Sequence, residues 1–178
     1  MSPPPATPAR RISSEEERLA LIRIPLSASL LVALAAAPLC SGGAFEEEML
    51  AAHNVVRQQV SVPRLGWSRK LAAVAQKWAD HLLATGRFEH QANNPHGENL
   101  FEARGQEATP LDVVAAWAAE AYEYDYRTNT CRGRCGHYTQ LVWRTTREVG
   151  CASASRGLRQ VVVCEYSPPG NWVGQRPW

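Results

Sequence analysis

The sequence predicts an α+β domain in which helices come first and a small sheet follows. Apolar residues recur at helical spacing in three segments between residues 46 and 126, whereas two Val- and Cys-bearing runs after residue 147 read as strands. Helices followed by a small sheet suit an α+β or α-β-α layered domain. At 178 residues the chain can fill one core well and two only thinly.

Residues 1–44 stand apart. A Pro-rich polar opening leads into an apolar run from Ile24 to Leu39, too short and Ala-rich for a membrane span of about 20 residues. Basic residues before it and small residues after it fit a secretory signal, or a retained signal anchor, with cleavage after Ala44. The domain is then expected over residues 45–178. Removing the leader takes four Arg and three Glu from totals of 19 and 17, leaving 15 basic against 14 acidic residues. That balance argues against a nucleic-acid-binding protein, which would show a concentrated basic face.

The first helix is expected over FEEEMLAAHNVVRQQV, with Glu46, Glu47 and Glu48 in its first turn and Met49, Ala52, Val56 and Val60 as its apolar stripe. Pro63 and Gly66 end it. Ser68 can cap a second helix whose stripe is Leu71, Val74, Ala75, Trp78 and Leu82, and Gly86 closes it. Residues 87–109 read as a loop with a short extended piece at ENLFEA. Thr109 and Pro110 open a third helix, and GHYTQLVW reads as a short fourth. EVGCASAS and LRQVVVCEYS then form a hairpin joined at Arg156-Gly157. The aromatic tail PPGNWVGQRPW is expected to pack down.

Losing Cys40 with the leader leaves Cys131, Cys135, Cys151 and Cys164. An even set in an exported chain reads as disulfides; of the three pairings, spacing favours Cys131–Cys135 and Cys151–Cys164. A metal site using Cys131, Cys135 and His137 is the alternative.

Certain polar residues stand where burial is expected. Val113, Trp117, Glu120 and Tyr124 share one face at helical spacing, so Glu120 lies in line with a large aromatic and needs a partner if buried. FEHQANNPHGENL gathers His90, His96 and Glu98 in a loop-like segment, where functional polar groups concentrate. Imidazoles and carboxylates so grouped can bind zinc, although this spacing is not that of a helix-borne zinc motif. His53 and His81, each on the apolar side of its helix, read as structural. His137 sits in CGHYTQLVWRTT among residues that pack.

The segments AAHNVVR, HGENL, AAWAAEAYEYDYRTNTC, CGHYTQLVWRTTREVGCA and VVVCEYSPPGNWVGQRPW, in this order, resemble the pathogenesis-related protein 1 branch of the cysteine-rich secretory protein, antigen 5 and pathogenesis-related (CAP) superfamily. The resemblance covers essentially all of residues 45–178. It implies a three-layer α-β-α sandwich, an extracellular location (periplasmic in a bacterium) and a tetrad of His90, Glu98, Glu120 and His137. It places His96 on the cleft wall. It also implies sterol, fatty acid or other lipid binding and a defence-like or antimicrobial role. Tyr122, Tyr124 and Tyr126 are the expected lipid-contacting residues, with aromatic surface and polar tips. Two departures stand out. One disulfide of the plant members lacks both cysteines here, and Glu165 replaces a neutral polar or basic residue.

Three readings of the tetrad follow. His90 and His137, with Glu98 or Glu120 added, can hold Zn2+; a Glu can act as general base in a zinc-dependent hydrolase; or the Glu–His bonds only shape a binding cleft. The resemblance favours a monomeric binding protein over an enzyme. A signalling module recognised by a surface receptor is the remaining alternative.

Overall fold

The computed structural model describes residues 41–178, with side chains from Gly43 onward. Residues 1–40, which hold the apolar run of the secretory signal or signal anchor and Cys40, therefore fall outside the described residues.

α1 (Ser41–Gln59) starts earlier than the sequence reading placed it, so Glu46–Glu48 lie in its second turn and no acidic residue occupies the first. Its core face is as expected: Met49, Ala52 and Val56 are buried. His53 and Arg57 follow Met49 at four-residue steps and are buried with it. α2 (Arg69–Thr85) ends on Gly86 in the left-handed conformation, but Ser68 at its N-cap makes no side-chain capping bond. Leu71, Ala75, Ala79 and Leu82 are its buried stripe, while His81 is exposed and stacks on Trp78 at 4.6 Å. His81 thus lies off the apolar face where the helical spacing had put it.

α3 (Pro110–Ala119) opens with a full capping box between Thr109 and Asp112. It stops one residue short of Glu120, which begins a 3-10 turn, Glu120–Glu123. The shared helical face therefore breaks after Trp117. Tyr124 instead enters β3 (Tyr124–Asp125), which pairs with β4 (Thr130–Cys131). α4 (Gly136–Leu141) is the expected short helix, ending two residues sooner.

The main sheet has the order β1-β5-β6-β2, and only β1 (Gly66–Trp67) runs parallel to its neighbour. β2 (Gly97–Arg104) is a full strand, longer than ENLFEA. β5 (Glu148–Arg156) and β6 (Arg159–Ser167) form the hairpin, turning at Gly157-Leu158. β6 is central and buried on both faces, which is why it reads as a near-continuous apolar run. Its side chains alternate as the pleat requires. Val161 and Val163 pack with Ala75, Ala79, Leu82 and Leu100 on the α2 side. Val162, Cys164 and Tyr166 pack with residues of α1, α3 and α4 on the other. This is an α-β-α sandwich with a core on each face of the sheet.

Both disulfides form as spacing favoured: Cys131–Cys135 beside α4, and Cys151–Cys164 across β5 and β6. Gly150 permits the α2 layer to close on the sheet, because a Cβ there would meet Ala72 N at 2.2 Å and Ser68 O at 2.4 Å. Those are backbone atoms, so the helix itself must shift. Gly150→Ala is expected to lower stability by about 1–3 kcal/mol by overpacking, read as a lower urea midpoint. An unchanged midpoint would show that α2 moves freely over β5.

The tail packs in part. Trp178 joins the core and Arg144 N donates to Pro177 O, while Trp172 and Val173 remain exposed.

Candidate functional site

Two His–Glu pairs meet at one end of the sheet. His90, in the loop after α2, bonds through Nδ1 to Glu98 Oε1 of β2 at 2.5 Å, and Gln91 N donates to the same oxygen at 3.1 Å. His137, in the first turn of α4, bonds through Nδ1 to Glu120 Oε1 at 2.7 Å. Its own N–H donates to Glu120 Oε2 at 3.0 Å, and Tyr138 N–H to the same atom at 3.3 Å. Glu120 thus caps α4 from the 3-10 turn and orients the imidazole as well. Trp117 lies almost parallel to the His137 ring, centroids 6.0 Å apart.

His90, Glu98 and His137 line one open cleft of about 410 Å³ with Phe88, Leu100, Arg134 and Asn171. Glu120 stands behind His137, outside the lining. His96 does not line it either: its backbone N–H caps onto Asn94 Oδ1, and the chain turns away before β2. No lining residue carries a hydroxyl, thiol or amine. Ser153 lies within the hairpin and accepts a bond from Gln160 Nε2.

A buried polar chain supports the His137 side. His53 Nδ1 bonds Met49 O at 2.7 Å, which must accept, so Nδ1 carries the proton and Nε2 accepts from the Tyr166 hydroxyl at 2.9 Å. Burial pushes the His53 pKa down to about 4, keeping the ring neutral, and pushes Tyr166 well above its ordinary value. Asn99 Nδ2 then reaches both Tyr166 Oη and His137 O at 3.1 Å. The structural reading of His53 is correct, and the chain ties α1 through β6 and β2 to α4.

Glu165 is the unforeseen member. It faces Glu98 across the β2–β6 ladder and is fully buried, with Oε2 accepting from Asn94 Nδ2 at 2.8 Å. Glu98 Oε2 and Glu165 Oε1 are both buried without any other partner. Burial, and the neighbouring Glu98 carboxyl, raise the Glu165 pKa to about 7. A second negative charge facing Glu98 across the ladder is disfavoured, so Glu165 holds its proton more tightly than an isolated carboxyl. On the cleft side, the bond to Glu98 raises the pKa of His90. Sequence reading marked Glu165 only as a stray negative charge; the register Glu98↔Glu165 is what gives it a role.

The donor set fits a borderline metal ion such as Zn2+. Each imidazole uses Nδ1 on a carboxylate and keeps Nε2 for a ligand, the arrangement that orients metal-binding histidines. The carboxylates are thereby spent on orientation rather than coordination. Among the described residues, three or more potential ligand atoms lie within 4.8 Å of one another only at His53, Cys151 and Cys164. Those two cysteines are joined as a disulfide and offer no thiolate.

Tyr122, Tyr124 and Tyr126 do not form one surface. Tyr122 is exposed, but Tyr124 packs against Tyr138 and Trp178. Tyr126 stacks on Trp178 at 4.7 Å and donates its hydroxyl to Trp178 O.

The profile of the cysteine-rich secretory protein (CAP) family matches residues 50–166. The chain belongs to that family. The match spans the four strands of the main sheet, β6 up to Tyr166, and all four tetrad residues. Among relatives, pathogenesis-related protein 1 of Arabidopsis thaliana is 38% identical over 134 residues, covering 75% of this chain and 82% of its own length. Pathogenesis-related protein 1A of Nicotiana tabacum is 39% identical over 156 residues, covering 86% and 92%. The solved venom allergen-like protein 4 of Schistosoma mansoni superposes with a TM-score of 0.64 at 25% identity, covering 75% of this chain and 92% of its own. The sandwich expected from the sequence is thus the family fold.

Proposed function

We propose that this protein is a secreted, non-catalytic binding protein of the CAP family whose cleft holds Zn2+ through His90 and His137. The leader over residues 1–44 directs export in this reading, and residues 45–178 are the working domain. The observation that carries it is that two imidazoles on the walls of one cleft are each bonded to a carboxylate, Glu98 in the wall and Glu120 behind it. When bound, the ion supplies a Lewis-acidic contact for an anionic or carbonyl-bearing ligand. Glu98 and Glu120 fix the tautomer of each ring, so that Nε2 is the free atom on both. Phe88 and Leu100 give the cleft apolar wall area, and Arg134 adds a cation at its rim. A lining without hydroxyl, thiol or amine favours binding over covalent hydrolysis. A lipid contact at the 121–131 loop is a second reading, supported by the exposure of Tyr122 and, to a lesser extent, of Tyr126. A defence-related role outside the cell accords with the names of the relatives.

Calorimetry tests the proposal. The intact protein is expected to take up one Zn2+, and His90→Ala/His137→Ala to lose saturable uptake. Glu98→Gln and Glu120→Gln should each weaken binding about 10–100-fold by releasing a ring. Zinc uptake unchanged in the double-alanine variant would refute the site. Uptake should also weaken toward acid pH, because a proton competes for His90, whose pKa is raised by Glu98.

A further inference from the structure

A second cleft, of about 730 Å³, lies where the end of α1 meets the 61–65 loop and the 144–147 turn. Arg64, Arg144 and Arg147 line it together with Gln58, Ser61 and Pro63, and no carboxylate does. All three arginines are exposed, and among the described residues none forms an ion pair. Five other arginines are tied down, Arg87 to Glu89, Arg104 and Arg159 to Glu102, Arg132 to Tyr122 O, and Arg176 to Tyr126 O and Arg127 O, while within the cleft Arg147 Nη1 donates to Arg144 O at 2.9 Å.

Beneath this cleft lies a fourth guanidinium. Arg57 is fully buried, and it spends its donors on four backbone carbonyls, those of Pro63, Leu141, Trp143 and Thr146. Three of these four belong to the 141–146 segment, so Arg57 holds in place the turn that presents Arg144 and Arg147. No carboxylate meets Arg57, whose pKa falls to about 10 through burial, with repulsion from Arg147 adding to it. Four like charges gathered without a counter-ion, in a domain whose basic and acidic residues nearly balance, leave a concentrated local positive field.

We propose that the cleft among Arg64, Arg144 and Arg147 is a binding site for a phosphate group, carried either by a soluble phosphate compound or by a lipid headgroup. Planar guanidinium forks match phosphate oxygens two at a time, which suits an open cleft with several arginines better than a single carboxylate ligand. The site shares no lining residue with the His90–His137 cleft. Its success or failure is therefore independent of the zinc reading.

The test uses the whole protein, inorganic pyrophosphate as soluble probe, and phosphatidic acid in phosphatidylcholine vesicles as lipid probe. Arg64→Gln/Arg144→Gln/Arg147→Gln is compared with Arg69→Gln/Lys70→Gln/Lys77→Gln, which removes the same charge from exposed positions on α2. Pyrophosphate is expected to bind saturably with one site per chain, to weaken about 100-fold or more in the first variant, and to change less than about threefold in the second. Vesicle sedimentation lost only in the first variant assigns the phosphate to a lipid; pyrophosphate binding without sedimentation assigns it to a soluble compound. No saturable binding to either probe, or equal loss in the two variants, overturns the proposal. Thermal unfolding checks that each variant is folded; were the triple variant not, Arg144→Gln and Arg147→Gln singly, each expected to weaken binding about tenfold, decide it.

Discussion

Arg57→Met is expected to destabilise the domain by about 3–5 kcal/mol, the largest loss from any single side chain off the disulfides. Four buried carbonyls, of Pro63, Leu141, Trp143 and Thr146, take their hydrogen bonds from this one guanidinium at 2.7–3.2 Å. Methionine fills much of the volume and supplies no donor, so the carbonyls lose their partner while staying out of water. Arg57→Lys should recover only a minor part, because a compact ammonium cannot span four acceptors that a planar fork reaches. Urea unfolding measures both. A loss under about 1 kcal/mol for the Met variant would mean that the 141–146 turn opens and hydrates cheaply. The consequence reaches the site as well, since α4 ends at Leu141 and carries His137 at its start.

Arg57 also shows what the sequence made visible and what it did not. The helical stripes, the capping box at Thr109, the hairpin and the disulfide pairing are local facts, written in spacings under about fifteen residues. Local patterning therefore placed most elements within a few residues. His90, Glu98, Glu120 and His137 were conspicuous individually as polar residues beside apolar ones. Resemblance grouped them as a tetrad, and their pairing as His90–Glu98 and Glu120–His137 is seen only in the structure, where the second pair joins two elements 17 residues apart. Arg57 sits in the row Met49, His53, Arg57, and that four-residue step was the available signal. An arginine on such a row more often reaches solvent, so burial depended on the 141–146 turn arriving to receive it. Helical periodicity failed for Glu120 in an informative way. The helix ends at Ala119, and the tighter turn aims the carboxylate at the α4 N-terminus, where it takes two backbone N–H groups. Likewise the three tyrosines of one loop separate because Trp178, 52 residues from Tyr126, claims two of them. Such outcomes depend on segments far apart in sequence, and no window of local pattern contains them.

Glu165→Gln is expected to stabilise the metal-free protein at alkaline pH and leave it nearly unchanged at acid pH. The wild-type carboxyl retains its proton in the folded state up to about pH 7, whereas in the unfolded chain it titrates at its ordinary value of 4.5. Between those values the native state binds the extra proton, so unfolding releases it and stability falls as pH rises. Below about pH 4 both states are protonated and the penalty vanishes; above about pH 7.5 it is complete, at about 3 kcal/mol for a shift of this size. Glutamine stays neutral throughout, and its amide supplies a donor for the buried, unpartnered Glu98 Oε2. Subtracting wild-type from variant unfolding free energies across this range, with chelator present, isolates the effect from other titrating groups. A difference that grows from near zero to about 3 kcal/mol with rising pH is the predicted result. Curves that stay parallel would mean that Glu165 ionises freely in the fold. In that case Glu98 would face an unneutralised charge across the ladder, and the His90 side of the cleft would need a different account of how its carboxylate is held.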